Sequence, residues 1–183
     1  YGYLMKLRFE TLRDLGAAMT PFNAFLFLQG LETLSLRMAR HVENAAAVAR
    51  YLESNELASN VTYPGLPTSL YHPLVEKYLP GGAGAVFSFD CRGGREAGMH
   101  FIEGVTLWSH LANVGDAKSL IIHPASTTHR QLDDDELRAA GVGPGTIRLS
   151  VGLEDIDDLL WDLDQGFRQA AGAAGSKEAA CST

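Results

Sequence analysis

The spacing of apolar and polar positions changes character several times along the chain. Leu4 to Leu15 (LMKLRFETLRDL) has the one-sided pattern of a short amphipathic helix that ends at Gly16. Thr20 then offers an N-cap, with Pro21 at the first helical position. From there the pattern predicts a helix to about Glu53, roughly 33 residues and about 50 Å long. Its first part, FNAFLFLQGL, is apolar nearly all round and needs cover on several sides. In its second part Leu34, Met38, Val42, Ala45, Val48, Ala49 and Leu52 form one inward stripe, while Arg37, Arg40, Glu43, Asn44 and Arg50 face out. A helix of that length, passing from all-round burial to a single stripe, suits a connector between two domains.

After Ser59 the period shortens. Strands are predicted at Val61–Tyr63, Ala85–Asp90, Thr106–His110, Ser119–His123 and Thr146–Val151, with helices at His72–Leu79, Arg95–Gly104, Asp133–Ala140 and Glu154–Phe167. The last helix carries a clear stripe of Ile156, Leu159, Leu160, Leu163 and Phe167, and its acidic first turn suits a helix amino end. Strands interleaved with helices indicate an α/β fold in which the helices cover a sheet. Residues 170–183 (AAGAAGSKEAACST) lack a core pattern and are expected to fray.

With 183 residues the chain is long enough to bury a real core, and its 46% apolar and 20% charged residues are ordinary for a globular protein. The net charge of −7, without a basic patch, argues against nucleic acid or an anionic membrane as partner. Cys91 and Cys181 are far apart and form no CxxC pair, so a reducing cytoplasm is the expected compartment. Phe22–Leu31 is too short to span a bilayer, and the amino end has no signal-peptide pattern. Because Tyr1 is not a methionine, the numbering is expected to begin inside a longer polypeptide.

The segment Thr146–Gly152 alternates strictly, with Ile147, Leu149 and Val151 on one face and Thr146, Arg148 and Ser150 on the other. An arginine in mid-strand between such neighbours needs an anion, and its planar fork suits a carboxylate. That carboxylate is either a ligand's or an internal acid's, and spacing alone leaves both open. The stretch 111–129 is polar between two apolar strands, and Asn113, Ser119, Ser126, Thr127 and Thr128 are candidates to line a cleft. A turn stabilised by its own Asn and Asp side chains is the competing account. His110, His123 and His129 lack zinc spacing, and Gly141–Gly145 precedes a strand rather than a helix, unlike a phosphate loop. Lys118 sits in a polar turn with nothing apolar to lower its pKa, so it is expected to be solvated.

Three stretches together resemble the Cys/Met-metabolism family of enzymes dependent on pyridoxal 5′-phosphate (PLP). They are Thr20–Phe25 with Gln29–Leu34 and Arg37; Asn113–Leu120 with His123–His129; and Arg148–Glu154. The wording Asn-Val-Gly-Asp-Ala-Lys-Ser and His-Pro-Ala-Ser-Thr-Thr-His is similar to O-acetylhomoserine sulfhydrylases. Cystathionine synthases and lyases usually carry a Ser-Leu-Gly-Gly type of stretch there.

The resemblance implies the C-terminal small domain of a fold-type I PLP-dependent transferase, with a mixed or antiparallel sheet. Residues 1–20 would close a large PLP-binding domain, 21–60 form the connector helix, 61–169 the C-terminal α/β domain and 170–183 a tail. It implies γ-replacement of acetate on O-acetyl-L-homoserine by sulfide or a thiol, in a homotetramer. Arg148 would clamp the substrate α-carboxylate, with Asn113 and Ser119 beside it. The Schiff-base lysine, the phosphate cup and the acid facing the pyridine nitrogen would lie upstream, so no catalytic residue is expected in this chain, PLP would be bound mainly by the missing part, and the chain would be inactive alone. A cystathionine γ-synthase or methionine γ-lyase reaction, or a non-catalytic dimerisation module, are the alternatives.

Overall fold

The structure, a computed structural model, describes residues 1–180, with side chains described as far as residue 172. The chain divides into two units, Tyr1–Leu36 and the part from Arg37 onward. In the first, α1 (Gly2–Lys6) runs through a π-helical stretch (Leu7–Leu12) into α2 (Arg13–Leu15), which stops at Gly16 with φ +64°. The left-handed turn there suits a residue without Cβ. The helix start at Thr20 is present: its Oγ1 accepts from the Asn23 amide at 3.2 Å, and Pro21 opens α3 (Pro21–Glu32).

The single helix predicted from 21 to 53 is two. Thr33 leaves helical geometry (φ −105°, ψ 4°), and α4 (Leu34–Ser54) begins after it. None of the side chains of α1, α2 or α3 is buried, although α3 is apolar all round: Phe22 is 68% and Phe27 63% exposed. Burial on α4 starts only at His41 and includes Asn44, which was expected to face outward. A distant segment satisfies the donors of both residues, while Asn44 Oδ1 and His41 Nε2 stay buried without a partner among the described residues. Asn44 Nδ2 donates to the Gly152 and Glu154 carbonyls at 3.0 and 2.9 Å, and His41 Nδ1 donates to the Val151 carbonyl at 2.6 Å.

The second unit is built on a five-stranded sheet of β1 (Ala58–Ser59), β2 (Val86–Cys91), β3 (Ser109–His110), β4 (Leu120–Ile122) and β5 (Thr146–Ser150), in the order β1-β2-β5-β4-β3. Only β3 and β4 pair in parallel; the other pairs are antiparallel. This is the mixed α/β arrangement the sequence pattern predicts. Two strands are shorter or displaced. Asn60, in the left-handed region at φ 50°, ends β1 before Val61–Tyr63, though Thr62 still donates its amide to the Ser88 carbonyl at 2.8 Å. Residues 106–108 do not pair because their amides turn to Asp162 instead.

One sheet face carries the core. Phe87, Leu149 and Ile121 share a row, as do Phe89 and Ile147. Helices α6 (Gly94–Gly104) and α8 (Ile156–Ala180) contribute Phe101 and Phe167, whose rings lie 4.7 Å apart and pack on Phe89 at centroid distances of 5.6 and 5.9 Å. Burial of these rings is a main source of stability. A Cβ on Gly104 would come within 2.9 Å of the Gly166 backbone, so the two glycines permit this crossing. The other α-helices among the described residues are α5 (His72–Tyr78) and α7 (Asp134–Ala139), the latter opened by an Asp133/Glu136 capping box, and Pro124–Ser126 forms a short 3-10 turn. Helix α8 continues beyond Phe167, and Ala170 is still buried. Of the expected frayed tail, residues 181–183 lie outside the described residues. No described helix is long and apolar enough to cross a membrane.

Cys91 closes β2 almost wholly buried, and burial pushes its thiol up to about 11. The thiolate is the reactive form. Alkylation of Cys91 in the native protein at pH 8 is therefore expected to run at least about 100-fold slower than in urea, as mass spectrometry of the Cys91 peptide would show. Equal rates in both states would contradict the burial.

Candidate functional site

The other sheet face bears a cross-strand row of Ser88, Arg148 and Ile122. In front of it lies a cavity of about 320 Å³, walled by that row, by Pro124 and His129 from one loop, and by Val142 from another. A pocket with apolar walls and a few directed polar groups is the usual form of a small-molecule site. Arg148 is half-buried there, and its one hydrogen bond among the described residues runs from Nη2 to the Asn113 carbonyl at 3.3 Å.

An internal acid does not claim it. The carboxylate in the neighbouring row, Asp90, is taken by Thr146 Oγ1 at 2.5 Å and Asn60 Nδ2 at 3.0 Å. Among the described residues no ion pair includes Arg148. A guanidinium with most of its donors free, on the wall of a cavity, can take a carboxylate through two parallel hydrogen bonds.

The other two predicted site residues behave differently. Asn113 lies beside Arg148, but its main-chain oxygen makes the contact. The side chain accepts from the Val114 amide at 2.9 Å, and Gly115 at φ +76° completes the turn. Ser119 is 0% exposed and its hydroxyl is saturated: it donates to Glu154 Oε2 at 2.8 Å and accepts from the Gly152 amide at 2.7 Å. Ser119 therefore does not face the cavity. It welds the start of β4 to the segment after β5, with its own amide also on Glu154 Oε1 at 2.8 Å. A Cβ on Gly152 would sit 2.5 Å from Glu154 Oε2, so this junction has room only for glycine. The run Arg148–Glu154 thus alternates between a cavity group, core side chains and the groups that lock the strand end.

Two residues escaped the sequence reading as site supports. Arg95 on α6 donates Nε and Nη2 to Asp134 Oδ1 at 3.0 and 2.8 Å, Nη1 to the Ala125 carbonyl at 2.6 Å and Nη2 to the Leu132 carbonyl at 3.3 Å. It fastens the loop that carries Pro124 and His129. His123 is fully buried behind that loop. Lys6, Lys77 and Lys118 are all exposed, so none of them sits in a pocket suited to a Schiff base.

The Cys/Met metabolism PLP-dependent enzyme family matches residues 3–168. The chain belongs to this family. O-acetyl-L-homoserine sulfhydrylase of Leptospira meyeri is 52% identical over 168 residues, which is 91% of this chain and 38% of that protein. A crystal structure described as an O-acetylhomoserine (thiol)-lyase of Campylobacter jejuni, carrying a pyridoxyl-lysine monophosphate, superposes with TM-score 0.80 at 45% identity, covering 90% of this chain and 39% of that one. Cystathionine gamma synthase of Xanthomonas oryzae pv. oryzae, in complex with cystathionine, superposes with TM-score 0.77 at 40% identity, over 86% and 41% of the two chains. The fold is therefore that of fold-type I PLP enzymes, and the chain spans about two fifths of the length of these relatives.

Proposed function

We propose that this chain is the substrate-gripping C-terminal portion of a PLP-dependent O-acetyl-L-homoserine sulfhydrylase. The observation that carries the reading is the Arg148 guanidinium, without a carboxylate partner, on the wall of the cavity. In the reaction the Cγ–O bond of O-acetyl-L-homoserine breaks and acetate leaves with the electron pair. A Cγ–S bond then forms to sulfide or a thiol, whose proton passes to solvent, giving homocysteine or methionine. PLP supplies the electron sink. The Schiff-base lysine and the phosphate site are assigned to the rest of the full-length polypeptide, a reading supported by the exposure of Lys6, Lys77 and Lys118, and this chain alone is expected to be inactive. What this chain contributes is orientation: Arg148 holds the α-carboxylate, and the Asn113 carbonyl steadies Arg148.

The unburied side chains of residues 1–36 support a division in which 1–20 ends the cofactor-binding domain, 21–60 connects, and 61–169 forms the substrate domain. A helix apolar all round needs neighbours on several sides, and the remainder of the polypeptide and of a homo-oligomer supplies them. The closeness of a cystathionine synthase structure keeps a second reading of the same site, with cysteine as the acceptor.

Competition decides between them. Full-length protein given O-acetyl-L-homoserine with equal sulfide, methanethiol and cysteine is expected to yield homocysteine and methionine over cystathionine. Predominant cystathionine would establish the second reading, ammonia with a keto acid would establish a lyase, and absence of acetate release would overturn all three.

A further inference from the structure

The cavity in front of Arg148 has two loop walls, 124–129 and 141–146, which come from different parts of the chain. We propose that His123 is a positioning residue that clasps these two loops together, so that the grip of the cavity on an amino acid depends on its imidazole. The functional half of this statement rests on the substrate reading above.

The geometry is specific. His123 Nε2 lies 2.8 Å from the Pro144 carbonyl, and Nδ1 lies 2.9 Å from Ser126 Oγ. A carbonyl only accepts, so the proton is on Nε2, and in the neutral ring Nδ1 accepts from the serine hydroxyl, which shares its one proton with the His123 carbonyl at the longer distance of 3.3 Å. The neutral ring thus satisfies one partner in each loop. Thr127 Oγ1 adds a bond to the His123 carbonyl at 2.8 Å, which winds the first loop around the same residue. Among the hydrogen bonds of the described residues, the one from His123 to Pro144 is the sole one that joins 123–129 to 141–146. Helix α6 leaves a slot for the ring at Gly98, where a Cβ would fall 2.7 Å from Nε2.

The charge around the slot favours the neutral form. Arg95 of α6, itself held by Asp134, and His110 of β3 face the ring. Burial lowers the His123 pKa, the Pro144 carbonyl opposes this, and the neighbouring Arg95 and His110 reinforce it. With the folded value below the usual one near 6.5, the ring is neutral at neutral pH; as pH falls through that lowered value Nε2–H keeps the Pro144 carbonyl, but Nδ1 can no longer accept from Ser126 and a buried charge appears beside Arg95, which loosens the first loop.

His123→Leu removes both hydrogen bonds at similar volume, whereas His123→Gln keeps a donor for Pro144. Hydrogen exchange in the full-length protein reads the clasp directly. In His123→Leu the amides of Ser126, Thr127, His129, Val142, Gly143 and Thr146 are expected to exchange at least about tenfold faster, in both loops together, with α6 and α8 unchanged. The KM for the amino-acid substrate is expected to rise about tenfold with kcat within about threefold, and His123→Gln to restore KM to within about threefold. In the wild type KM should climb on acidification below pH about 6.5, and His123→Gln should flatten that climb.

Unchanged exchange in both loops, or a folded His123→Leu with wild-type KM, would overturn the clasp. Were His123→Leu not to fold, an acid limb of KM identical in wild type and His123→Gln would overturn it instead. Absence of acetate release by the wild type would strike the substrate reading while the exchange result still judged the clasp.

Discussion

Arg148→Ala in the full-length enzyme is expected to lower kcat/KM for O-acetyl-L-homoserine by about 10²–10⁴. The two charge-assisted hydrogen bonds proposed for the α-carboxylate, at about 1.5–3 kcal/mol each, would disappear together; each 1.36 kcal/mol is tenfold in rate. Arg148→Lys keeps the charge but loses the planar fork, and is expected to fall between, about 10–100-fold below the wild type. Stability should hardly move, because Arg148 is only half-buried, pairs with no carboxylate and makes one hydrogen bond to the protein. Steady-state acetate release, with thermal unfolding as control, separates the two effects. An alanine variant with wild-type kcat/KM would remove the basis of the proposed function. One that loses activity and unfolding temperature together would make Arg148 a structural residue.

Arg148 was legible because a strand has a period of two. Once Ile147, Leu149 and Val151 are assigned to the core, the neighbouring position must point the other way, and the sheet registers confirm it against Ser88 and Ile122. The alternation says nothing of what waits on that side. Whether an acid met Arg148 depended on Asp90, which lies 58 residues upstream in the sequence and is occupied by Thr146 and Asn60.

Ser119 was misplaced for a related reason. A serine in a polar loop offers the same local signal whether its hydroxyl faces a cavity or an internal glutamate, and Glu154 lies 35 residues on. Asn113 was found as a neighbour of Arg148, but through its carbonyl, whose direction no side-chain pattern reports. Arg95 was invisible as a loop anchor because its partners stand 30–39 residues away. The continuous helix over 21–53 failed at Thr33, a residue of ordinary appearance within a strong apolar pattern. Periodicity thus delivered the elements and the face of the key arginine, while the pairing of polar groups needed the fold.

Asp162 shows the same limit with the largest consequence for stability. On α8 it lies beside Leu159 and Leu163 on the inward face, and a carboxylate there contradicts the apolar stripe. It is 0% exposed, yet it accepts from the amides of Thr106, Leu107 and Trp108 at 2.8–3.1 Å and from Thr106 Oγ1 at 3.0 Å. The Trp108 indole adds a bond to the Leu159 carbonyl at 3.2 Å. One side chain therefore replaces the strand ladder that residues 106–108 would otherwise need.

Asp162→Ala leaves three amides and a hydroxyl without partners, at about 1–3 kcal/mol for each buried group. We expect a loss of about 3–5 kcal/mol, which is a large share of the about 5–15 kcal/mol that holds a typical domain. The unfolding temperature should drop by about 6–20 °C. Asp162→Asn retains an accepting oxygen but turns an NH₂ toward the same donors, and is expected to recover less than half of the loss. Urea and thermal unfolding followed by circular dichroism measure both. If Asp162→Ala unfolds within 2 °C of the wild type, the three amides find water or new partners at no cost, and the carboxylate is not what holds residues 106–108 to α8.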